Sequence, residues 1–152
     1  MADISKLKQL REETEVSFSL CKKALEESND DISKAKELLK KWGVERADKK
    51  SDRETGDGGI FGYVHHNGKI AVLIELKSET DFVSGNEDFK KLAHQLAMHL
   101  ATSQAETIEE FLNENFVFDP KNTILQMIND AILKFGENIK VSRFIRWRFG
   151  IV

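Results

Sequence analysis

A short polar segment followed by an apolar pair is the first place where the residue types suggest binding of another molecule. The segment is Glu79–Val83 (Glu-Thr-Asp-Phe-Val), and it follows an apolar alternation typical of a β-strand. Ser84 and Glu87 then have the spacing of a helix capping box. The apolar pair Phe82-Val83 follows the carboxylate of Asp81 on a connection between a strand and a helix. This arrangement favours a segment that inserts into a partner protein. The alternative is an ordinary connection with Phe82 turned into the local core.

The histidines and the cysteine, whose types could bind a metal ion or support catalysis, lack the neighbouring residues that those functions require. His65 and His66 are adjacent and point to opposite faces of a predicted strand, while His94 and His99 are five apart on a predicted helix. Neither pair suits one metal ion. Cys21 lies on an apolar helix face, which predicts a buried structural thiol rather than a reactive one. With no nucleophile beside a base, no paired catalytic carboxylates and no phosphate-binding glycine loop, we predict neither an enzyme nor a metal or cofactor site.

Composition predicts an ordinary globular protein. The 152 residues are 40% hydrophobic and 32% charged, which suits one domain with a small satellite. The sequence has neither an apolar run of about 18 residues nor a signal peptide at its start, and it has one cysteine. We therefore expect a cytoplasmic protein without a membrane span. The formal net charge of −3 gives no reason to expect direct nucleic-acid binding by the whole chain.

The N-terminal part predicts a small helical module over residues 1–43. Asp3, Ser17 and either Asp30 or Asp31 are positioned to cap three short amphipathic helices, and Gly43 is positioned to end the third. Residues 44–57 are almost all charged or small, which is typical of a solvated linker; the alternative is that the third helix continues into them for a turn or two.

Residues 58–152 predict an antiparallel sheet with helices. Two strands flank Asn67-Gly68, a strong signal for a hairpin with a type I′ turn. A long amphipathic helix follows Glu87, and two further helices precede Gly136. Asp119-Pro120-Lys121-Asn122 is interpreted as a turn into the last of them. The predicted fold is therefore α+β, a three-helix module followed by a three-stranded antiparallel sheet packed with helices.

The last predicted strand, residues 139–149, is ambiguous. Phe144 is out of phase with Ile145 and Trp147, and a bulge near Arg143 or Phe144 would repair the alternation. One interpretation is an aromatic and basic platform for single-stranded RNA. The other is a strand with one buried face and an exposed arginine face, which the acidic middle of the chain favours.

Three separated motifs occur in order along the chain. The first is Leu10-Arg11 with Thr14, the run Cys21-Lys22-Lys23-Ala24-Leu25-Glu26-Glu27, Asp31 and the spaced residues Ala35, Leu38 and Gly43; the second is Glu79–Val83 with Phe89; the third is Gly136-Glu137-Asn138-Ile139 with Arg143-Phe144. Together, over about residues 3–150, they resemble the elongation factor Ts family.

The resemblance implies a nucleotide exchange factor for the GTPase elongation factor Tu, without covalent chemistry. It implies that the N-terminal module is like a ubiquitin-associated domain and docks on the GTPase domain through Leu10, Arg11, Thr14, Cys21, Lys22 and Lys23. It also implies that Thr80, Asp81, Phe82 and Val83 enter near the bound magnesium. Phe82 would wedge apart packed helices, and Asp81 would compete for groups that hold metal and phosphate.

The chain departs from the family pattern in two ways. Glu15-Val16-Ser17 replaces a Gly-Ala-Gly-like stretch, and Leu20 replaces a common aspartate, which affects the start of the second helix. Larger family members carry a second sheet domain and a coiled-coil insertion, whereas this sequence resembles the short form. By that resemblance we expect a homodimer through residues 58–152.

Two other function classes stay open from the residues alone. The helical module could be a ubiquitin-associated-type binding module, which would leave the remaining residues without a role. The basic C-terminal strand could bind RNA, in which case affinity would fall steeply with salt.

Overall fold

The computed structural model describes residues 2–152. The chain divides into two compact units. The helical unit comprises the residues up to Ser51 together with Asn129–Gly136, and the sheet unit comprises Asp52–Ile128 together with Glu137–Val152.

Three capped helices form most of the helical unit: α1 (Ile4–Thr14), α2 (Phe18–Glu27) and α3 (Ile32–Lys50). The side chains of Asp3, Ser17 and Asp31 each accept a hydrogen bond from the backbone N–H three residues later, which confirms the predicted caps. The buried core of the unit consists of Leu7, Leu10, Val16, Cys21, Ala24, Leu25, Ala35, Leu39 and Leu133.

The prediction that Gly43 ends the third helix is wrong, since α3 continues to Lys50. Residues 44–50 are therefore helical, because they include strong helix formers that outweigh one interior glycine. Gly43 instead permits a close approach: a Cβ there would lie 3.1 Å from the backbone oxygen of Asn129. Asn129 belongs to α7 (Ile124–Phe135), whose last residues join the helical unit.

The sheet unit contains the predicted three-stranded antiparallel sheet, in the order β1-β2-β5. Its strands are β1 (Asp57–Val64), β2 (Ile70–Ser78) and β5 (Lys140–Arg148). One face of β2, formed by Val72, Ile74 and Leu76, is buried with the long helix α5 (Glu87–Thr102). The α+β prediction is confirmed.

Short elements complete this unit: α4 (Asp81–Ser84), α6 (Ile108–Asn113), β3 (Asn115–Phe116) and β4 (Asp119–Thr123). The predicted turn at Asp119–Asn122 lies instead within β4, which pairs with β3. No helix within residues 2–152 is long and apolar enough to cross a bilayer.

The hairpin between β1 and β2 forms where predicted, but its turn is not type I′. The N–H of Gly68 donates to the carbonyl of His65, and Gly68 has a φ of 71° while Asn67 has no positive φ. A type I′ turn requires a positive φ at both central residues, whereas a longer loop that ends in one left-handed glycine does not.

A bulge in β5 reverses the predicted faces of its second half. Glu75 pairs with Arg143 and Leu76 with Val141, so Ser142 is the extra residue. The bulge is therefore confirmed close to the predicted position. Because a shift of one residue exchanges the two faces of a strand, Ile145 and Trp147 become exposed.

The predicted exposed arginine face is consequently wrong. The side chain of Arg146 is only 5% exposed, and its guanidinium donates to the carbonyls of Leu100 and Ala105 at 3.3 and 2.9 Å. Arg148 donates to the carbonyl of Ser103 at 2.9 Å. These guanidinium groups bind carbonyls at the C-terminal end of α5 and just beyond it, where arginine side chains commonly bind; the carbonyl of Leu100 also accepts the N–H of Ser103 at 3.2 Å.

Candidate functional site

The connection between β2 and α5 is a single helical turn, α4, held between two short links. The predicted capping box of Ser84 and Glu87 is wrong, because Asn86 caps α5 and accepts a hydrogen bond from the N–H of Asp88 at 2.8 Å. Ser84 is the last residue of α4, and its hydroxyl donates to Oδ1 of Asp57 at 2.8 Å. The serine thus ties the end of α4 to the start of β1 instead of beginning a helix.

The two apolar residues of α4 differ sharply in exposure. Phe82 is 87% exposed, whereas Val83 is 8% exposed. Successive residues of a helix are about 100° apart around its axis, so a single turn that buries Val83 turns Phe82 towards solvent. The alternative in which Phe82 packs into the local core is therefore wrong. Asp81, which is also exposed, lies beside Phe82 at the start of the turn.

Glu137 holds the start of this segment through one carboxylate. Its Oε1 accepts hydrogen bonds from the backbone N–H groups of Glu79 and Thr80, at 3.1 and 3.0 Å. Its Oε2 accepts one from the hydroxyl of Thr80 at 2.6 Å. Thr80 occupies the N-cap position of α4, but its side chain makes no capping bond. The threonine hydroxyl therefore anchors the segment to the residue that precedes Asn138 and β5.

A second layer of polar contacts surrounds that anchor. Oε1 of Glu79 accepts from the N–H of Asn138 at 3.3 Å and lies 3.5 Å from Nη1 of Arg53. The buried side chain of Asn138 donates to the backbone carbonyl of Arg53 at 2.9 Å. In the sequence, Glu137 and Asn138 stand out only as parts of the family motif. The one local signal for their role is their position as two polar residues between a helix-ending glycine and a strand.

Asp57 is the corresponding anchor at the other end of the segment. The pKa of its carboxyl is lowered, first by the hydrogen bond from the Ser84 hydroxyl and then by the N–H of Gly58. The carboxylate form therefore accepts both donors. Together with Glu137, it fixes α4 at both ends while Asp81 and Phe82 stay accessible.

The six predicted binding residues of the helical unit divide by burial. Leu10 and Cys21 lie in its core, and burial raises the pKa of the Cys21 thiol, as expected for a structural cysteine. The hydroxyl of Thr14 donates to the carbonyl of Leu10 at 2.7 Å and lies 3.7 Å from the sulfur of Cys21. Arg11 and Lys22 are exposed, as is Lys23, whose ammonium lies 5.1 Å from the centre of the Trp42 ring.

The face of the sheet opposite α5 carries exposed apolar side chains. We call this surface the open face; its members are Ile60, Val64, Leu73, Ile145 and Trp147. The register places Val64, Ala71 and Trp147 in one row across the strands, and Leu73 beside Ile145 in another. Trp147 is 70% exposed. Within residues 2–152, no group of three or more His, Cys, Asp or Glu side chains is arranged to hold a metal ion.

Comparison with known proteins identifies the family. The family model described as Elongation factor TS matches residues 79–150, a range that begins at Glu79 and includes the whole of α4. A protein of Thermosipho melanesiensis named Elongation factor Ts is 40% identical over 189 aligned positions, which cover 95% of this chain and 96% of that protein. The namesake from Thermotoga maritima is 36% identical, with 95% of this chain and 94% of that protein covered.

A longer relative also matches. The Elongation factor Ts of Clostridium acetobutylicum is 42% identical over 97% of this chain, but the match covers only 48% of that protein. The alignment with the Thermosipho protein has more positions than the 152 residues of this chain, so that relative carries residues without a counterpart here. Since nearly the full length of both proteins aligns at this identity, the chain belongs to the elongation factor Ts family.

Proposed function

We propose that the chain promotes release of GDP from elongation factor Tu by inserting the segment Thr80–Val83 near the bound magnesium and nucleotide. The role of a nucleotide exchange factor in translation elongation follows from membership of the family. The observation that carries the proposed route is the side chain of Phe82, which is 87% exposed on a turn that is anchored at both ends.

The chemistry of the exposed pair suits this route. A phenyl ring that leaves water on entering a partner gains apolar burial, and its fixed backbone reduces the conformational entropy lost on binding. A carboxylate at Asp81 competes for groups that hold a cation or a phosphate. No covalent bond is made or broken, so the chain exchanges its own binding energy for that of the nucleotide. By linkage, GDP must weaken binding of the factor as much as the factor weakens binding of GDP.

We also propose that the helical unit docks on the GTPase domain of elongation factor Tu in the manner of a ubiquitin-associated domain. Arg11, Lys22 and Lys23 are accessible for direct contact. Leu10, Thr14 and Cys21 would contribute by shaping the unit, because the first and last are buried and Thr14 bridges them. Translation elongation takes place in the cytoplasm, which we propose as the location.

Release of a fluorescent GDP analogue from bacterial elongation factor Tu tests the route. The wild-type chain and the double variant Asp81→Ala/Phe82→Ala are compared at matched concentrations. Acceleration by the wild type that the variant loses supports insertion of this segment. Equal acceleration by both would overturn the route and transfer the effect to other contacts. No acceleration by either would overturn the exchange function.

A second copy of the chain is the occupant that we propose for the open face. One of its two apolar rows crosses all three strands and the other lies on β2 and β5, and monomeric proteins seldom expose large continuous apolar patches. A twofold pairing of two such faces would bury the apolar rows of both, as two sheets do in a sandwich. The Clostridium relative, about half of which this chain covers, leaves room for a second domain in the same role.

Light scattering at micromolar concentration tests the homodimer, with Trp147→Glu as the variant and Phe118→Glu as the control. Phe118 is also exposed but lies at the β3–β4 hairpin, outside the open face. A two-chain mass that only Trp147→Glu reduces to one chain supports the proposal. A one-chain mass for the wild type would overturn it. If that monomer bound single-stranded RNA with a steep salt dependence, the C-terminal strand would instead be an RNA-binding surface, with Trp147 and the accessible Arg143 on its exposed face.

A further inference from the structure

We infer that Glu137 is a positioning residue for exchange, which holds Thr80 so that Asp81 and Phe82 are presented in the geometry needed for insertion. The inference rests on the proposed function and adds a residue outside the inserted segment. Glu137 lies 57 residues along the chain from Thr80, yet its carboxylate is the acceptor shared by three donors at the start of the segment.

The hydrogen bonds explain why a carboxylate suits this position. Two backbone N–H groups, of Glu79 and Thr80, emerge together where β2 has ended at Ser78, and both point to Oε1 of Glu137. The second oxygen is left for the Thr80 hydroxyl. A carboxylate has acceptor sites for all three donors, and charged acceptors form the stronger hydrogen bonds.

The segment is therefore fixed at three points. Thr80 is held by Glu137, Val83 is buried, and Ser84 is held by Asp57. Only Asp81 and Phe82 of α4 are left exposed between these points. A segment that is already fixed in this way loses little conformational entropy when it inserts into the partner. Loss of the Glu137 anchor should consequently impair insertion more than initial docking.

A purely structural role for Glu137 is the competing explanation. In that case its removal would lower the stability of the sheet unit and change exchange only through the fraction of folded protein. Glu114 offers a matched control in the same unit. Its carboxylate accepts hydrogen bonds from the hydroxyl of Ser103 at 2.6 Å and from Nε2 of His99 at 3.0 Å, away from α4 along the chain.

The experiment measures release of fluorescent GDP from elongation factor Tu as a function of factor concentration. For Glu137→Ala we expect the maximal release rate to fall about tenfold or more, while the half-saturating concentration changes by less than about threefold. Glu137→Gln should be intermediate, because its amide oxygen can accept the two backbone N–H groups and its NH₂ group can donate to the Thr80 hydroxyl, but these hydrogen bonds lose the strength that the carboxylate charge gives them. Glu114→Ala should release GDP like the wild type at equal folded fraction.

A double-mutant cycle separates this inference from the proposed function. If Glu137 acts through the segment, Glu137→Ala added to Asp81→Ala/Phe82→Ala should reduce the rate no further. An unchanged maximal rate for folded Glu137→Ala, or an equal loss in Glu114→Ala, would overturn the inference while leaving the function intact. Full activity of Asp81→Ala/Phe82→Ala would instead overturn the proposed route itself.

Discussion

Substitution by alanine should destabilise the isolated chain at Val83 but leave its stability almost unchanged at the neighbouring Phe82. Val83→Ala removes two methyl groups from a side chain that is 8% exposed. At about 0.8 kcal/mol per buried group, with a further term for the cavity, we expect a loss of about 1.5–3 kcal/mol in the free energy of unfolding. That loss corresponds to a fall of about 4–10 °C in Tm for a chain of this length. Phe82→Ala removes an exposed ring and should change the free energy by no more than about 0.5 kcal/mol.

Urea unfolding followed by circular dichroism measures both variants against the wild type. The difference between the free energies of unfolding of the two variants is the informative quantity, because both substitutions introduce alanine into the same helical turn. A loss for Phe82→Ala as large as that for Val83→Ala would show that the phenyl ring is packed in the free protein. The argument that Phe82 is available to a partner would then fail.

Three further predictions concern stability and titration. Gly58→Ala should lose about 2–4 kcal/mol in urea unfolding, because Gly58 has a φ of 140° and an added Cβ would clash with the backbone oxygen of Leu76; wild-type stability would contradict this. Asp130→Asn should raise Tm at pH 7, because burial raises the pKa of the Asp130 carboxyl, so its stabilising contribution exists at low pH and is lost as pH rises through that pKa. The gain should shrink on acidification in thermal scans from pH 7 to below pH 3.8, and a constant gain would be inconsistent with the burial argument. Ser84→Ala should raise the pKa of Asp57 towards its ordinary value of 3.8 in an NMR titration. The stability that Asp57 contributes is present above that value and is lost as pH falls through the lowered pKa, so this contribution should become smaller in the variant. An unchanged pKa would show that the hydrogen bond from Ser84 is not the main cause of the lowered pKa.

Local features of the sequence were sufficient for most elements of the fold. A helix cap involves a side chain and a backbone group three residues apart, so Asp3, Ser17 and Asp31 could be identified without knowledge of the tertiary structure. The hairpin at Asn67-Gly68 is equally local. The role of Gly43 could not be read in this way, because it depends on Asn129, a residue distant in the chain.

The sequence is sufficient to place the candidate segment between a strand and a helix, but not to predict which of its side chains are exposed. The segment Glu79–Val83 was identified correctly as the connection between strand and helix, whereas the exposure of Phe82 depends on a helical turn too short to have a periodic signature. The anchor at Glu137 is a contact across 57 residues. In β5, one bulged residue, Ser142, determines which side chains are exposed, and a composition pattern alone cannot fix that phase.

Photo-cross-linking from position 82 tests most directly whether this side chain enters elongation factor Tu. A benzophenone analogue of phenylalanine is placed at position 82 in one chain and, as a control, at position 118 in another, since Phe118 is also exposed, at 60%, but lies outside α4. The account predicts a cross-link to the GTPase domain from position 82, which excess GDP suppresses by linkage, and little cross-linking from position 118. Cross-linking from position 118 with none from position 82, in a complex that still releases GDP, would contradict insertion of Phe82.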